Sequence, residues 1–433
     1  MSYVRSLISP LRIPIFRHLW IATMASNVGT LMQGVGSAWL MTSMTTSPLL
    51  VGLVPACVFL PTFFAGIWGG VLSDIVERRR LLIVTQSGMM ACALLMAACT
   101  LGGLMTPLLL LAITFCLGFF NAMNLPAWQS QIQEMVPPEQ VAAAVSLNSI
   151  SFNTARSVGP AVGGVLVAVI GPASVFLLNA ISFLGTILVL IGWKRPPQTK
   201  PRQAVWASLR EGFRFVIRSP LLRAPMIRVS AFALPGSAIW ATLPLLAREG
   251  LGTGAAGYGL LLTAFGLGSI SIAGLVPGLR ARHHPDRIIG PAILVLSGVF
   301  LTLALSKNYL VVLAALFLGG LAWVGVLVQF NVAVQLASPE ALRGRAMSFY
   351  LVFFQGSLGV GSAFNGWLAK LVGIPNALSL AGAFLLLGLV LLAAFPLNPS
   401  SPAAAPPGSG LDPSPENGSE ESKNSGCTPG STS

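Results

Sequence analysis

Apolar residues gather into twelve long runs separated by short polar, glycine and proline breaks. The runs cover residues 19–42, 49–72, 81–102, 106–128, 144–170, 173–193, 224–247, 256–279, 288–306, 309–335, 346–371 and 375–396. A helix of about 20 residues crosses roughly 30 Å of hydrocarbon, so each run is about long enough to span a bilayer. Glycine and proline inside the runs are compatible with membrane helices, where neighbouring groups satisfy any freed backbone. The pattern predicts an all-α membrane protein with twelve transmembrane helices.

Arginine and lysine set the orientation. Arg5, Arg12, Arg17, Arg78, Arg79, Arg80, the basic residues from Lys194 to Arg228, Arg280, Arg282, Arg287, Arg343 and Arg345 fall on one side. Arg248, Lys307 and Lys370 fall on the other. Basic residues favour the cytoplasmic side, so both termini are expected to be cytoplasmic. Between the sixth and seventh runs, Ala204 to Arg218 mixes apolar and basic residues at helical spacing and fits an amphipathic helix on the inner membrane surface. The expected organisation is a six-helix bundle over 1–193, a linker over 194–223, a second bundle over 224–396 and a tail over 397–433. The tail is rich in proline, serine, glycine and glutamate and is expected to be disordered. Pro138-Glu139 precedes the fifth run as Pro339-Glu340 precedes the eleventh, so the halves look related.

Composition removes other classes. The 433 residues are 54% hydrophobic and 9% charged, with mean hydropathy +0.80. A soluble domain carries about 25% charged residues. The formal charge of +13 sits in loops between apolar runs, so no nucleic-acid partner is expected. Cys57, Cys92, Cys99 and Cys116 lie in runs and Cys427 in the tail, with no metal-ligand or disulfide spacing. The first run lacks a cleavage site and reads as a span rather than a secretory signal. No G-x-x-x-x-G-K-[ST] motif occurs, nor any cluster of nucleophile, base and metal ligands, so neither an enzyme nor a cofactor is expected.

Arg156 stands out as a charge deep in an apolar run. An ionisable group at that depth costs at least about 2.5–3.5 kcal/mol and needs partners or a wet cavity. It shares a helical face with Asn153, Pro160 and Gly163. Asn27, Thr30, Gln33 and Ser37 form a similar stripe in the first run, and Asn121 and Asn124 lie one turn apart in the fourth. These stripes either line a shared cavity or hold helices together through hydrogen bonds. Trp240, Phe265, Tyr350, Phe353 and Phe354 can supply an apolar wall from the second half, or pack as ordinary core or lipid-facing aromatics. Gly70, Asp74, Arg78 and Arg79, between the second and third runs, read as a latch that forms and breaks, or as a solvated basic loop. Gly159, Pro160 and Gly163 bend and thin the fifth helix.

The stretch Gly70 to Arg80 resembles the loop signature of the major facilitator superfamily, G-x-L-a-D-r-x-G-r-R, with Ile75 and Glu77 as departures. Gly159-Pro160 with Gly163-Gly164 is similar to that superfamily's exporter-associated Gly-Pro motif. The segment from Asn121 to Pro160, with F-R-H-L-W near the start, resembles the enterobactin-exporter-like and macrolide-efflux-like permeases, a transmembrane secretion effector branch. The resemblance implies the major facilitator fold and a central cavity between two bundles. It also implies export of siderophores or amphipathic drugs driven by proton antiport, from an inner-membrane monomer. The residues themselves show no mid-membrane aspartate or glutamate to carry a proton; Asp74 and Glu134 are acids at the membrane edge. A flippase for lysophospholipids or other lipids on the same fold, and a non-transporting sensor or scaffold, are the rival readings.

Overall fold

The computed structural model describes residues 8–193, 219–339 and 342–397; within them, the side chains of 66–75, 129, 130, 132, 133, 220, 273, 277 and 393 are not described. The amphipathic stretch from Ala204 to Arg218 and the tail beyond Leu397 lie outside the described residues. The described chain is helical, with α1 (Pro14–Met44), α2 (Pro48–Ile75), α3 (Arg78–Leu101), α4 (Pro107–Met135), α5 (Val141–Val169) and α6 (Pro172–Gly192) in the first half. The second half holds α7 (Pro220–Gly236), α8 (Ala255–Ala273), α9 (Pro285–Leu305), α10 (Tyr309–Ala337), α11 (Arg343–Val372) and α12 (Ile374–Ala394). After a break at Ser237, α7 continues as Ala238–Leu245 and a π-turn, Leu246–Gly250. A short helix, Val276–Arg282, follows α8. Twelve crossings return the chain to its starting side, the terminal face; the opposite side is the far face.

Ten described helices are long and apolar enough to cross a membrane by length and composition. The two long helices outside that group, α1 and α5, carry the polar stripes of Gln33 and Arg156. On α3, α6, α9 and α12, residues such as Leu95, Ile181, Leu294 and Leu387 are exposed, as suits helices whose outer faces meet lipid.

The halves repeat one packing plan. In the first, α1 packs on α5, α2 on α4 and α3 on α6; in the second, α7 packs on α11, α8 on α10 and α9 on α12. Across the junction, α2 packs on α11 and α5 on α8, pairings that interchange under the same correspondence. Far-face turns repeat as well: Gly171 (φ 102°) enters α6 and Gly373 (φ 83°) enters α12, both in a conformation that glycine adopts without Cβ strain. These matches extend the relation signalled by the two Pro-Glu pairs.

Lipid offers no hydrophobic drive for helix association, so close packing carries more of the load. A Cβ on Gly268 of α8 would collide with the Phe317 carbonyl oxygen of α10, and one on Gly320 with the Phe265 carbonyl oxygen. Gly268→Ala is therefore expected to destabilise the protein by about 1–3 kcal/mol, the usual cost of overpacking. Gly298→Ala in α9 meets nothing within 4 Å and serves as the control. Thermal unfolding in detergent should separate the two; equal midpoints would remove this packing argument.

Candidate functional site

Arg156 sits near the middle of α5, where α5 meets α8. A Cβ on Gly266 of α8 would lie 2.7 Å from the Arg156 carbonyl oxygen, so this small residue allows the two backbones to meet. The Arg156 guanidinium carbon lies 5.8 Å from the centre of the Phe265 ring. Among the described residues no hydrogen bond or ion pair holds this guanidinium. A cation over an aromatic face gains about 0.5–2 kcal/mol, which leaves its donors open to an anion.

Phe265 belongs to an aromatic wall in the second half. Trp323 of α10 is its centre, with ring centroids 4.8 Å from Trp240, 6.3 Å from Phe265, 6.5 Å from Phe354 and 4.7 Å from Phe232. Tyr350 stacks on Phe354 at 6.3 Å, while Phe353 is 38% exposed and takes no part in these ring pairs. Gly236 makes room for Trp323, since a Cβ there would lie 2.6 Å from the indole. The site thus sets one open cation from the first half against a cluster of tilted and edge-on rings from the second. Trp323 carries no polar label in the sequence, and only its helical level and the glycine opposite mark it.

The amide stripes divide. Gln33 is 5% exposed and faces the interior of its own bundle. Its Oε1 accepts from Asn179 Nδ2 at 2.6 Å, and its Nε2 donates to Met96 Sδ at 3.3 Å. Its amide joins α1, α3 and α6. Asn124 is similar, donating to Thr85 Oγ1 at 2.7 Å between α4 and α3. Asn153 donates to the Ser149 carbonyl on its own helix at 2.9 Å. Asn27 is half-buried and Asn121 exposed.

The expected latch also redistributes. The surroundings of Gly70 and the side chain of Asp74 are not described. Arg78 pairs with Glu134 of α4 at 2.5 Å, both mostly buried. Arg79 donates to the carbonyls of Leu190 and Ile191 at 2.7 and 2.6 Å, closing the end of α6. The described partners of both arginines lie in the first half. Gly159 and Gly163 seat α5 on α1, with Cβ positions 2.8 Å from Leu31 Cβ and Met32 Cα. Two residues of this motif meet α8: a Cβ on Gly164 would lie 2.9 Å from Gly259 Cα, and a Cβ on Gly259 would collide with the Pro160 carbonyl oxygen.

The matching contact on the other junction is Gly52, whose Cβ would lie 2.8 Å from Gly366 Cα. Both glycine pairs lie toward the far face. There Trp39 of α1 stacks on Tyr258 of α8 at 6.2 Å, and Arg248 lies 6.0 Å over Trp39 with Nη1 3.5 Å from Thr42 Oγ1. Val35 and Ala38 enter the apolar cluster of the second half, while Leu245 and Ala255 enter that of the first. The halves interlock at the far face. On the terminal face, Arg280 donates to Gln329 Oε1 at 3.0 Å, and burial pulls its pKa below the ordinary guanidinium value.

Comparison with known proteins gives a consistent answer. The family described as transmembrane secretion effector matches residues 5–419. The enterobactin exporter EntS of Shigella boydii is 29% identical over 394 residues, covering 88% of this chain and 91% of that protein. The uncharacterized MFS-type transporter YfiS of Bacillus subtilis is 27% identical over 370 residues, covering 80% and 84%. In structure, a bacterial homolog of the human lysosomal transporter Spinster, inward-facing and occupied, aligns with TM-score 0.71 at 14% identity, over 89% of this chain and 97% of that one. A POT family transporter aligns with TM-score 0.72 at 11% identity, over 89% and 96%; both likenesses speak to the fold.

Proposed function

The chain belongs to the transmembrane secretion effector family of the major facilitator superfamily, and on that premise we propose that it exports an amphipathic organic anion by proton antiport. It is a multi-pass inner-membrane transporter and not an enzyme. One observation carries the substrate class: the open Arg156 guanidinium lies over Phe265, the edge of a cluster of tilted and edge-on rings, at the junction of the halves. Charge-assisted bonds would hold the anion, and the rings would accept an aromatic or apolar body. Siderophores and acidic drugs share this chemistry, and the enterobactin exporters among the relatives support the direction and the siderophore reading.

Transport would follow from rocking the two bundles about this midplane site. The arginine distribution favours a cytoplasmic terminal face. With the far face interlocked, the described state suits uptake of substrate from the cytoplasm. A proton would need a carboxylate; Glu134 and Asp286, partly buried at helix ends and each paired with an arginine, are the described acids that fit this role. We read the functional unit as a monomer.

Everted membrane vesicles test the reading. Imposed acid-inside gradients should drive uptake of an anionic catechol siderophore or an acidic aromatic drug, and a protonophore should abolish it. Gradient-independent uptake would overturn the coupling. Failure of every anionic aromatic probe, with folded protein present, would overturn the substrate class.

A further inference from the structure

Helix α7 and its continuation are tied to different surroundings at their two ends. On the terminal side, Arg228 Nη1 donates to Asp286 Oδ1 of α9 at 2.7 Å and to the Phe395 carbonyl after α12 at 3.2 Å. This fixes α7 within the second half. On the far side, Ala238–Leu245 straddles the junction. Leu243 stays in the apolar cluster of the second half, but the segment packs along α2, and Leu245 enters the cluster of the first half. Arg248 then reaches Trp39 and Thr42 of α1.

Between these anchors the helix is broken at Ser237, just after Pro235-Gly236. A break frees backbone carbonyls, which in a membrane must find other donors. The Leu234 carbonyl accepts from Ser237 Oγ at 2.8 Å and from Asn365 Nδ2 of α11 at 3.0 Å. Asn365 Nδ2 also lies 3.2 Å from Ser237 Oγ and 2.8 Å from the Gly361 carbonyl. An amide nitrogen has two hydrogens, so one serves Gly361 and the other is shared across the break. Asn365 is 2% exposed and Ser237 fully buried, so water does not compete for these bonds. Small Gly361 lets α11 come close enough, since its Cβ would lie 2.5 Å from Ser237 Oγ.

We propose that Asn365 is a positioning residue for the far-face gate: its amide holds the break in α7, and its loss releases the segment Ala238–Leu245. The segment's hold on the first half, along α2 and through Arg248 to α1, lies wholly beyond the break, so a looser break lets it leave α2 and α1 while Arg228 keeps α7 in place. This rests on the alternating-access reading above.

The test places a cysteine at Leu245, which is fully buried, and labels the full chain from the far side with a membrane-impermeant maleimide. The chain without the added cysteine supplies the background. Asn365→Leu keeps much of the volume but removes the donor. It should raise labelling about fivefold, the population shift that one net hydrogen bond supports. Val175→Cys, buried in α6 away from the break, should stay protected. Unchanged labelling at Leu245→Cys, or an equal rise at Val175→Cys, would overturn the proposal. If Asn365→Leu does not accumulate, Ser237→Ala decides by the same criteria, with a smaller rise expected. Labelling reads the gate without transport, so a wrong substrate or ion leaves this result standing.

Discussion

Arg156→Gln is expected to lower kcat/KM for an anionic substrate by about ten- to a hundredfold, with the amount of folded protein unchanged. A hydrogen bond to a charged group is worth about 1.5–3 kcal/mol, and each 1.4 kcal/mol is tenfold. The guanidinium meets only the Phe265 ring in the described structure, so no structural partner is stranded when it is removed. Arg156→Lys keeps the charge but loses the planar fork, and should fall between the two. The ratio of anionic to neutral substrate transport is the decisive measurement. Normal export of the anion by both variants would place Arg156 outside the substrate path.

The second large effect is on stability. Arg228→Ala should cost about 3–5 kcal/mol, because it leaves the Asp286 carboxylate without its partner. Side-chain exposure is 2% for Arg228 and 20% for Asp286, so solvent replaces little of the lost contact. The pair also sits in a wider clasp: Asp286 Oδ2 accepts from the Leu397 N–H at 3.3 Å and lies 3.7 Å from His284 Nδ1. The combined change Arg228→Met with Asp286→Leu should recover much of the stability, since it removes both charges and leaves neither stranded. Thermal unfolding in detergent checks both variants. A single Arg228→Ala as stable as the original chain would remove the clasp as a structural element.

The long helices were legible because apolar runs of spanning length have few other interpretations. All twelve expected runs overlap the long helices, and the largest shifts come where the helices extend beyond the apolar stretch, as α4 does to Met135. The repeat was visible in two Pro-Glu pairs and deepened by the turns at Gly171 and Gly373. Side-chain destinations were less legible. Gln33 and Arg156 both interrupt apolar runs, yet Gln33 meets Asn179 and Met96 from distant helices, whereas Arg156 meets an aromatic ring. Helical spacing reports a shared face, but not which neighbour covers it. The same limit explains Asn365: Pro235-Gly236-Ser237 announces a break, but its amide partner lies on α11 and becomes visible only when the helices are assembled.

Arg228, Asp286 and Leu397 also bear on where this domain can be cut. The last helix ends at Ala394, yet the Leu397 amide is bound by the Asp286 carboxylate and the Phe395 carbonyl by Arg228. A truncation after Ala394 would strip acceptor and donor from a buried ion pair. A fusion tag joined after Leu397 would leave that seam intact. An electrostatic seam thus extends the structural requirements of the second half a turn beyond the last helical residue.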